Sequence, residues 1–295
     1  MKDLGLLKYC LGMEIQQQAG RLLVNQAKYI RDILRRFGML TAGRTDVPME
    51  PKLKLTSEMA PATIAEQNQS AAFPYREIVG SLMYLMTSTR PDLAFAVGKL
   101  ARFMNCHGPA HHAAANHVLR YIASTPTRGL IYKRMSQPHL VGFSDSDYAG
   151  DIDNRRSTSG YLFMLSGAAI TWKSTLQSTV ALSTAEAEYM GLTDAAKEAI
   201  YLRNLLSDFG LSPTSPVLVY GDNQSSIAIS KNPINHSAMK HVHVKHHFVR
   251  EKVEDGDIEL RYIPTAEMLA DAMTKPLAKQ VLLPLRDQFM GRIDC

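Results

Sequence analysis

The chain has 295 residues, 21% charged and 45% apolar, with a formal net charge of +5 and an isoelectric point near 9.0, an ordinary balance for a soluble protein of two or more compact units. The basic lean favours an anionic partner but does not by itself specify nucleic acid. Cys10, Cys106 and Cys295 have no paired spacing and so exclude a disulfide framework or zinc cluster, while the absence of a run of roughly 18 apolar residues or a signal-peptide layout leads us to expect no membrane partner.

Tyr9 to Ile15 and Arg21 to Asn25 alternate as strands around Ala19-Gly20, and Tyr29, Ile30, Ile33, Leu34 and Phe37 then recur at helical spacing. From Thr41 to about Phe73 the pattern fades; Pro48, Pro51 and Pro61 oppose regular helix, so 41–73 reads as a linker after a first section, 1–40. Three helices are predicted next, Tyr75 to Thr87, Arg90 to Asn105 and Pro109 to Ala123, making a small bundle within 74–135. From about residue 136 to 278 the period changes. Strand-like runs at Leu140–Ser144, Ser159–Leu165 and Ala168–Lys173 precede a long helix from Thr184 to Phe209. The strand Val217–Tyr220, a helix Gln224–Ser230, a helix His241 to Glu254, the strand Ile258–Ile263 and a helix Ala266–Lys275 complete a mixed α/β sheet with flanking helices. Residues 279–295 read as a tail.

Four carboxylates mark the ends or beginnings of these elements: Asp145, Glu188, Asp222 and Asp271. Ionised groups are rarely buried unless paired or metal-bound, and four converging carboxylates form an oxygen-rich cage for hard divalent cations. Helix geometry selects Glu188 over Glu186. Stepping by three or four from Glu188 meets Leu192, Ala195, Ala199, Leu202 and Leu206, whereas Glu186 leads to Met190, Thr193, Lys197, Ile200 and Asn204, mostly a solvent face. Asp145 follows directly on the apolar run, while Asp147 sits at the turn; Asp151 and Asp153 read as turn residues beside Arg155 and Arg156. Taken singly, each acid has a structural reading as turn former, N-cap or helix surface. Their order among the elements carries the argument.

His236, His241, His243, His246 and His247 cluster, and the last four include the pair His243 and His247 on one helix face. No glutamate follows His243 as in the zinc motif HExxH, so a solvated basic face with Lys240, Lys245, Arg250 and Lys252 is the simpler reading.

These blocks together resemble the C-terminal part of the Pol polyprotein of copia-type LTR retrotransposons. The likeness runs from Lys2-Asp3-Leu4-Gly5 and Tyr9-Cys10-Leu11-Gly12-Met13-Glu14 through Tyr75-Arg76-Glu77-Ile78-Val79-Gly80 and Thr89-Arg90-Pro91-Asp92. It continues in Ser144-Asp145-Ser146-Asp147, Arg155-Arg156-Ser157-Thr158-Ser159-Gly160-Tyr161, Ala181 to Tyr189, and Leu269-Ala270-Asp271. Tyr148 stands where the family often has Trp, and Val242-His243-Val244 replaces a more common acidic segment.

The resemblance implies the end of a reverse transcriptase, with the close of its palm in the hairpin and helix of 1–40 and a small thumb- or connection-like helical region in 74–135, followed by a ribonuclease H-like five-stranded domain over 136–278. It implies two Mg²⁺ ions, or Mn²⁺, held by Asp145, Glu188, Asp222 and Asp271 during hydrolysis of the RNA strand of an RNA–DNA hybrid. Arg155, Arg156, Asn223, Gln224, Lys240 and Lys245 become the candidate nucleic-acid contacts. The polymerase's adjacent aspartate pair is absent from this chain, so the polymerase part of Pol is expected as a partner, in an intracellular particle or the nucleus. The competing expectation is a catalytically silent nucleic-acid-binding remnant.

Overall fold

A computed structural model describes residues 5–136, 139–211, 215–231 and 243–293, excepting the side chains of Lys231 and of residues 243–246. The chain divides into two units, residues 1–136 with 166–168 and 276–295, and residues 137–165 with 169–275.

The first unit opens with an antiparallel meander of β1 (Tyr9–Cys10), β2 (Met13–Gln18) and β3 (Arg21–Asn25). Ala19-Gly20 joins β2 to β3, and Gly20 takes a left-handed φ of +74°, which glycine adopts without steric cost. Helix α1 (Ala27–Arg36) follows and buries Ile30, Ile33 and Leu34, the residues its spacing predicts. The expected linker is not featureless. Met49 and Leu55 enter the core, and α2 (Ile64–Ala72) starts on a capping box in which the Thr63 side chain accepts from Glu66 N and the Glu66 carboxylate accepts from Thr63 N. The prolines all lie before residue 62, so they bar helix only upstream of that cap.

Helices α3 (Tyr75–Ser88), α4 (Ala94–Ala101) and α5 (Pro109–Ser124) form the expected bundle, with a short 3-10 turn at Pro91–Leu93 shortening the middle one. Their apolar stripes meet at Ile78, Leu82, Val97, Leu100, Val118 and Ile122. Strand β4 (Arg128–Lys133), which the sequence pattern does not announce, pairs antiparallel with β3.

The second unit is the expected mixed five-stranded sheet with flanking helices. In chain order it contains β5 (Val141–Ser146), β6 (Thr158–Leu165), β7 (Ala168–Leu176), α6 (Thr184–Asp208), β8 (Val217–Gly221), α7 (Gln224–Lys231), α8 (His243–Glu254), β9 (Ile258–Tyr262) and α9 (Asp271–Thr274). The strand order is β7-β6-β5-β8-β9, with β5 antiparallel to β6 and parallel to β8, and β8 parallel to β9. Helix α6 lays Leu192, Ala195, Ala199 and Leu202 on a core with Phe163, Val219 and Leu260. The helix expected over 266–275 is instead a 3-10 turn at Thr265–Glu267 and the four residues of α9, because Met268 is extended between them (φ −73°, ψ 101°).

Residues 279–293 of the expected tail 279–295 belong to the first unit's fold. Helix α10 (Lys279–Phe289) leads to β10 (Gly291–Arg292), which pairs antiparallel with β4. Arg286 of α10 donates to the Tyr121 hydroxyl (3.0 Å), which donates to Asp92 (2.6 Å), itself bridged by two guanidinium nitrogens of Arg90 (2.9 and 2.8 Å). Arg90 and Asp92 are both buried. Their mutual hydrogen bonds make that burial tolerable.

Candidate functional site

The parallel pairing of β5 and β8 sets Phe143 opposite Tyr220. Continuing that register by two residues brings Asp145 level with Asp222 at the carboxyl ends of neighbouring strands, where ligands of α/β sheets gather. Helix α6 then delivers Glu188 from above. It can approach so closely because residue 191 is glycine: a Cβ there would lie 2.4 Å from Ser146 Oγ and 3.2 Å from the Asp145 carbonyl oxygen. Gly160 of β6 does the same for α9, since a Cβ there would meet Met273 Cβ at 2.5 Å. Two missing side chains let two helices press carboxylates against one strand end.

Ligand oxygens of Asp145, Glu188 and Asp222 lie within 4.8 Å of one another. Asp271 adjoins the group through Asp145, whose charge raises its pKa. Asp145 is 2% exposed, Asp271 3% and Glu188 8%, while Asp222 is half-buried. Such crowding is costly for ionised groups. Burial first, then Asp145 and Asp222, push the Glu188 carboxyl from 4.5 up to about 10. Burial and then Asp145 raise Asp271 to about 7, against the opposing ammonium of Lys275. Hydroxyls organise the rest: Thr274 donates to Asp145 Oδ2, and Thr265 donates to Asp222 Oδ2 at 2.7 Å.

The sequence reading of Glu186 as solvent-facing is corrected. Glu186 is buried with Met190 and Thr193, and the exposed part of that face begins only at Lys197. Its carboxylate accepts from Leu182 N (2.8 Å) while Ser183 Oγ accepts from Glu186 N (3.2 Å), so it caps the helix start. The segment after β7 covers it, with Gln177 Nε2 donating to the Ala187 carbonyl (2.9 Å). Asp147 and Asp151 are turn residues as expected: Asp147 accepts from Thr158 N, and Asp151 Oδ1 accepts from Asn154 N at 3.2 Å.

Of the candidate nucleic-acid contacts, Arg155 is exposed at a left-handed φ of +57° and Arg156 is half-buried. Asn223 accepts from Ser226 N (3.0 Å) at the start of α7, next to exposed Gln224. Lys240, His236 and His241 lie outside the described residues, as do the side chains of Lys245, His243 and His246. His247 Nδ1 lies 2.8 Å from Arg250 Nη2. Among the described residues the three-carboxylate group alone has the spacing of a metal cage. Sequence reasoning missed Lys275, Thr274 and Thr265; for Lys275 the signal was its place four residues after Asp271, on the same helical face.

No protein-family model matches the chain. Over 277 residues, 93% of its length, the chain is 45% identical to the retrovirus-related Pol polyprotein from transposon TNT 1-94 of Nicotiana tabacum. It belongs to the copia-type retrovirus-related Pol polyproteins of transposons. A second such Pol polyprotein, from transposon RE1 of Arabidopsis thaliana, is 37% identical over 95% of the chain. This Pol segment spans only 21% and 19% of those two relatives. The N-terminal ribonuclease H domain of rv2228c from Mycobacterium tuberculosis aligns over 51% of this chain and 98% of its own, at 12% identity and a TM-score of 0.34.

Proposed function

We propose that this Pol segment is a metal-dependent endonuclease that hydrolyses the RNA strand of RNA–DNA hybrids, working beside the polymerase part of a longer polyprotein. The observation that carries the reading is the meeting of Asp145, Glu188 and Asp222 within 4.8 Å, with Asp271 against Asp145. A donor set made only of carboxylate oxygens suits hard divalent ions such as Mg²⁺ or Mn²⁺. The displaced titration of Glu188 points the same way, since its neighbours supply too little positive charge to keep it ionised. Asp145, Glu188 and Asp222 would hold one ion, and Asp145 with Asp271 a second. Bound divalent ions supply Lewis-acid stabilisation of phosphate oxygens and acidify an attacking water.

The remaining work falls to the chain. Thr274 and Thr265 hold Asp145 and Asp222 in fixed rotamers, and Gly191 and Gly160 allow α6 and α9 to set the other two acids. Preorganised carboxylates need not be gathered when substrate arrives. Exposed Arg155 and Gln224 would meet the nucleic-acid backbone, and recognition of RNA would come from 2′-hydroxyl contacts across the wide minor groove.

The test is direct. Purified protein is incubated with a labelled RNA–DNA hybrid in Mg²⁺ and in EDTA, beside duplex DNA and duplex RNA. Cleavage of the hybrid's RNA strand alone, dependent on Mg²⁺ and absent in Asp222→Asn, is the expected result. A hybrid left intact under all conditions would refute the assignment.

A further inference from the structure

Lys275 is a charged side chain inside the carboxylate group for which the proposed hydrolysis has no use. Its ammonium lies 2.8 Å from Asp271 Oδ1 and 3.8 Å from Asp145 Oδ2. The same Asp145 oxygen also accepts the Thr274 hydroxyl. The cluster therefore has two unlike halves. Asp145, Glu188 and Asp222 face one another closely, whereas on the other side Asp145 already accepts the Thr274 hydroxyl and the Lys275 ammonium stands at ion-pair distance from Asp271 Oδ1.

The geometry points to Lys275 as a resident cation in the place of a second divalent ion: one ion loads on Asp145, Glu188 and Asp222, and a second reaches Asp145 and Asp271 only by displacing the lysine ammonium. The inference rests on the reading of this site as a metal centre and adds an order of loading to it. The chain makes such an exchange feasible. Asp271 and Lys275 stand four residues apart across the last turn of α9, so the pair forms locally and needs no other element to move. The Lys275 side chain is 38% exposed, so it can swing to water without stranding a charge in the interior. Asp271 is almost fully buried and cannot follow it. A carboxylate oxygen cannot satisfy an ammonium and complete a divalent ion's shell at close range, because the two cations repel. The resident lysine thus keeps Asp271 compensated before the second ion arrives and weakens that ion's binding until substrate phosphate adds its own negative charge.

Mn²⁺ titrated calorimetrically into the full 295-residue chain, without nucleic acid, separates the cases. The wild type is expected to take up one ion well and a second weakly. Lys275→Met should tighten the second site by on the order of tenfold or more, with Lys275→Gln as a second neutral variant should the methionine chain not fold. Lys275→Arg keeps the charge and should retain the wild-type isotherm. Neutral variants whose isotherms match the wild type, or which bind fewer ions, overturn the resident-cation assignment while leaving the metal centre intact. A wild-type chain that takes up no Mn²⁺ fails the metal reading itself.

Discussion

Replacing Glu188 by Gln should make the metal-free protein more stable, although it removes a proposed ligand. In the folded chain burial, Asp145 and Asp222 hold the Glu188 carboxyl protonated up to about pH 10, while in the unfolded chain it ionises near 4.5. An acid whose folded pKa is raised binds more protons folded than unfolded, so stability falls as pH rises through the window between those values. From pH 4.5 to pH 7 the loss accumulates at about 1.4 kcal/mol per pH unit, to roughly 3 kcal/mol. Glutamine keeps the neutral shape and has nothing to titrate. In EDTA, denaturant unfolding should therefore find Glu188→Gln up to roughly 3 kcal/mol more stable than wild type at pH 7 and nearly equal at pH 4.5. Asp271, raised from 3.8 to about 7, adds a comparable loss between those values in both proteins, which cancels in the comparison. Added Mg²⁺ should reverse the order, because a ligand that binds only the folded state stabilises it by mass action. Parallel pH slopes for the two proteins in EDTA, or a Glu188→Gln chain weaker than wild type at pH 7, would refute the reasoning.

Glu186→Ala should cost on the order of 1 kcal/mol through loss of the helix cap but leave stabilisation by Mg²⁺ intact; loss of the Mg²⁺ response in thermal melts would make Glu186 the ligand. Gly160→Ala forces a Cβ against Met273 Cβ and should cost about 1–3 kcal/mol in chemical denaturation, with weaker metal binding as α9 and Asp271 shift. Asp92→Ala leaves the buried Arg90 without its partner and should cost about 3–5 kcal/mol, while Arg90→Met with Asp92→Ala recovers much of that loss. A double variant no more stable than Asp92→Ala would show that the network does not act through charge compensation.

What was legible in the sequence was whatever one element decides for itself. The apolar stripe through Leu192, Ala195, Ala199 and Leu202 and the spacing of Ile30, Ile33 and Leu34 each need a single element's period, and α6 and α1 lie where expected. Tyr9 to Ile15 reads as one strand, but Leu11 and Gly12 at left-handed φ turn the chain and divide it into β1 and β2. Asp145 and Asp222 could be matched because parallel strands place their carboxyl ends together. The errors arose where a distant segment decides the outcome. Glu186 looks solvent-facing on a helix wheel, but the chain after β7 covers the first turns of α6. Residues 279–295 look like a tail because the strand that receives them, β4, lies far earlier in the chain, and Arg286 finds Tyr121 across a similar distance. Residues 41–73 read as a linker on their prolines, although Thr63 and Glu66 carry a local helix signal that weighs more beyond Pro61. Lys275 escapes a reading by ligand chemistry because it is no metal ligand, yet a buried carboxylate group without its metal is relieved either by protons, as at Glu188, or by a neighbouring cation. The lysine one turn from Asp271 is the residue best placed to be that cation.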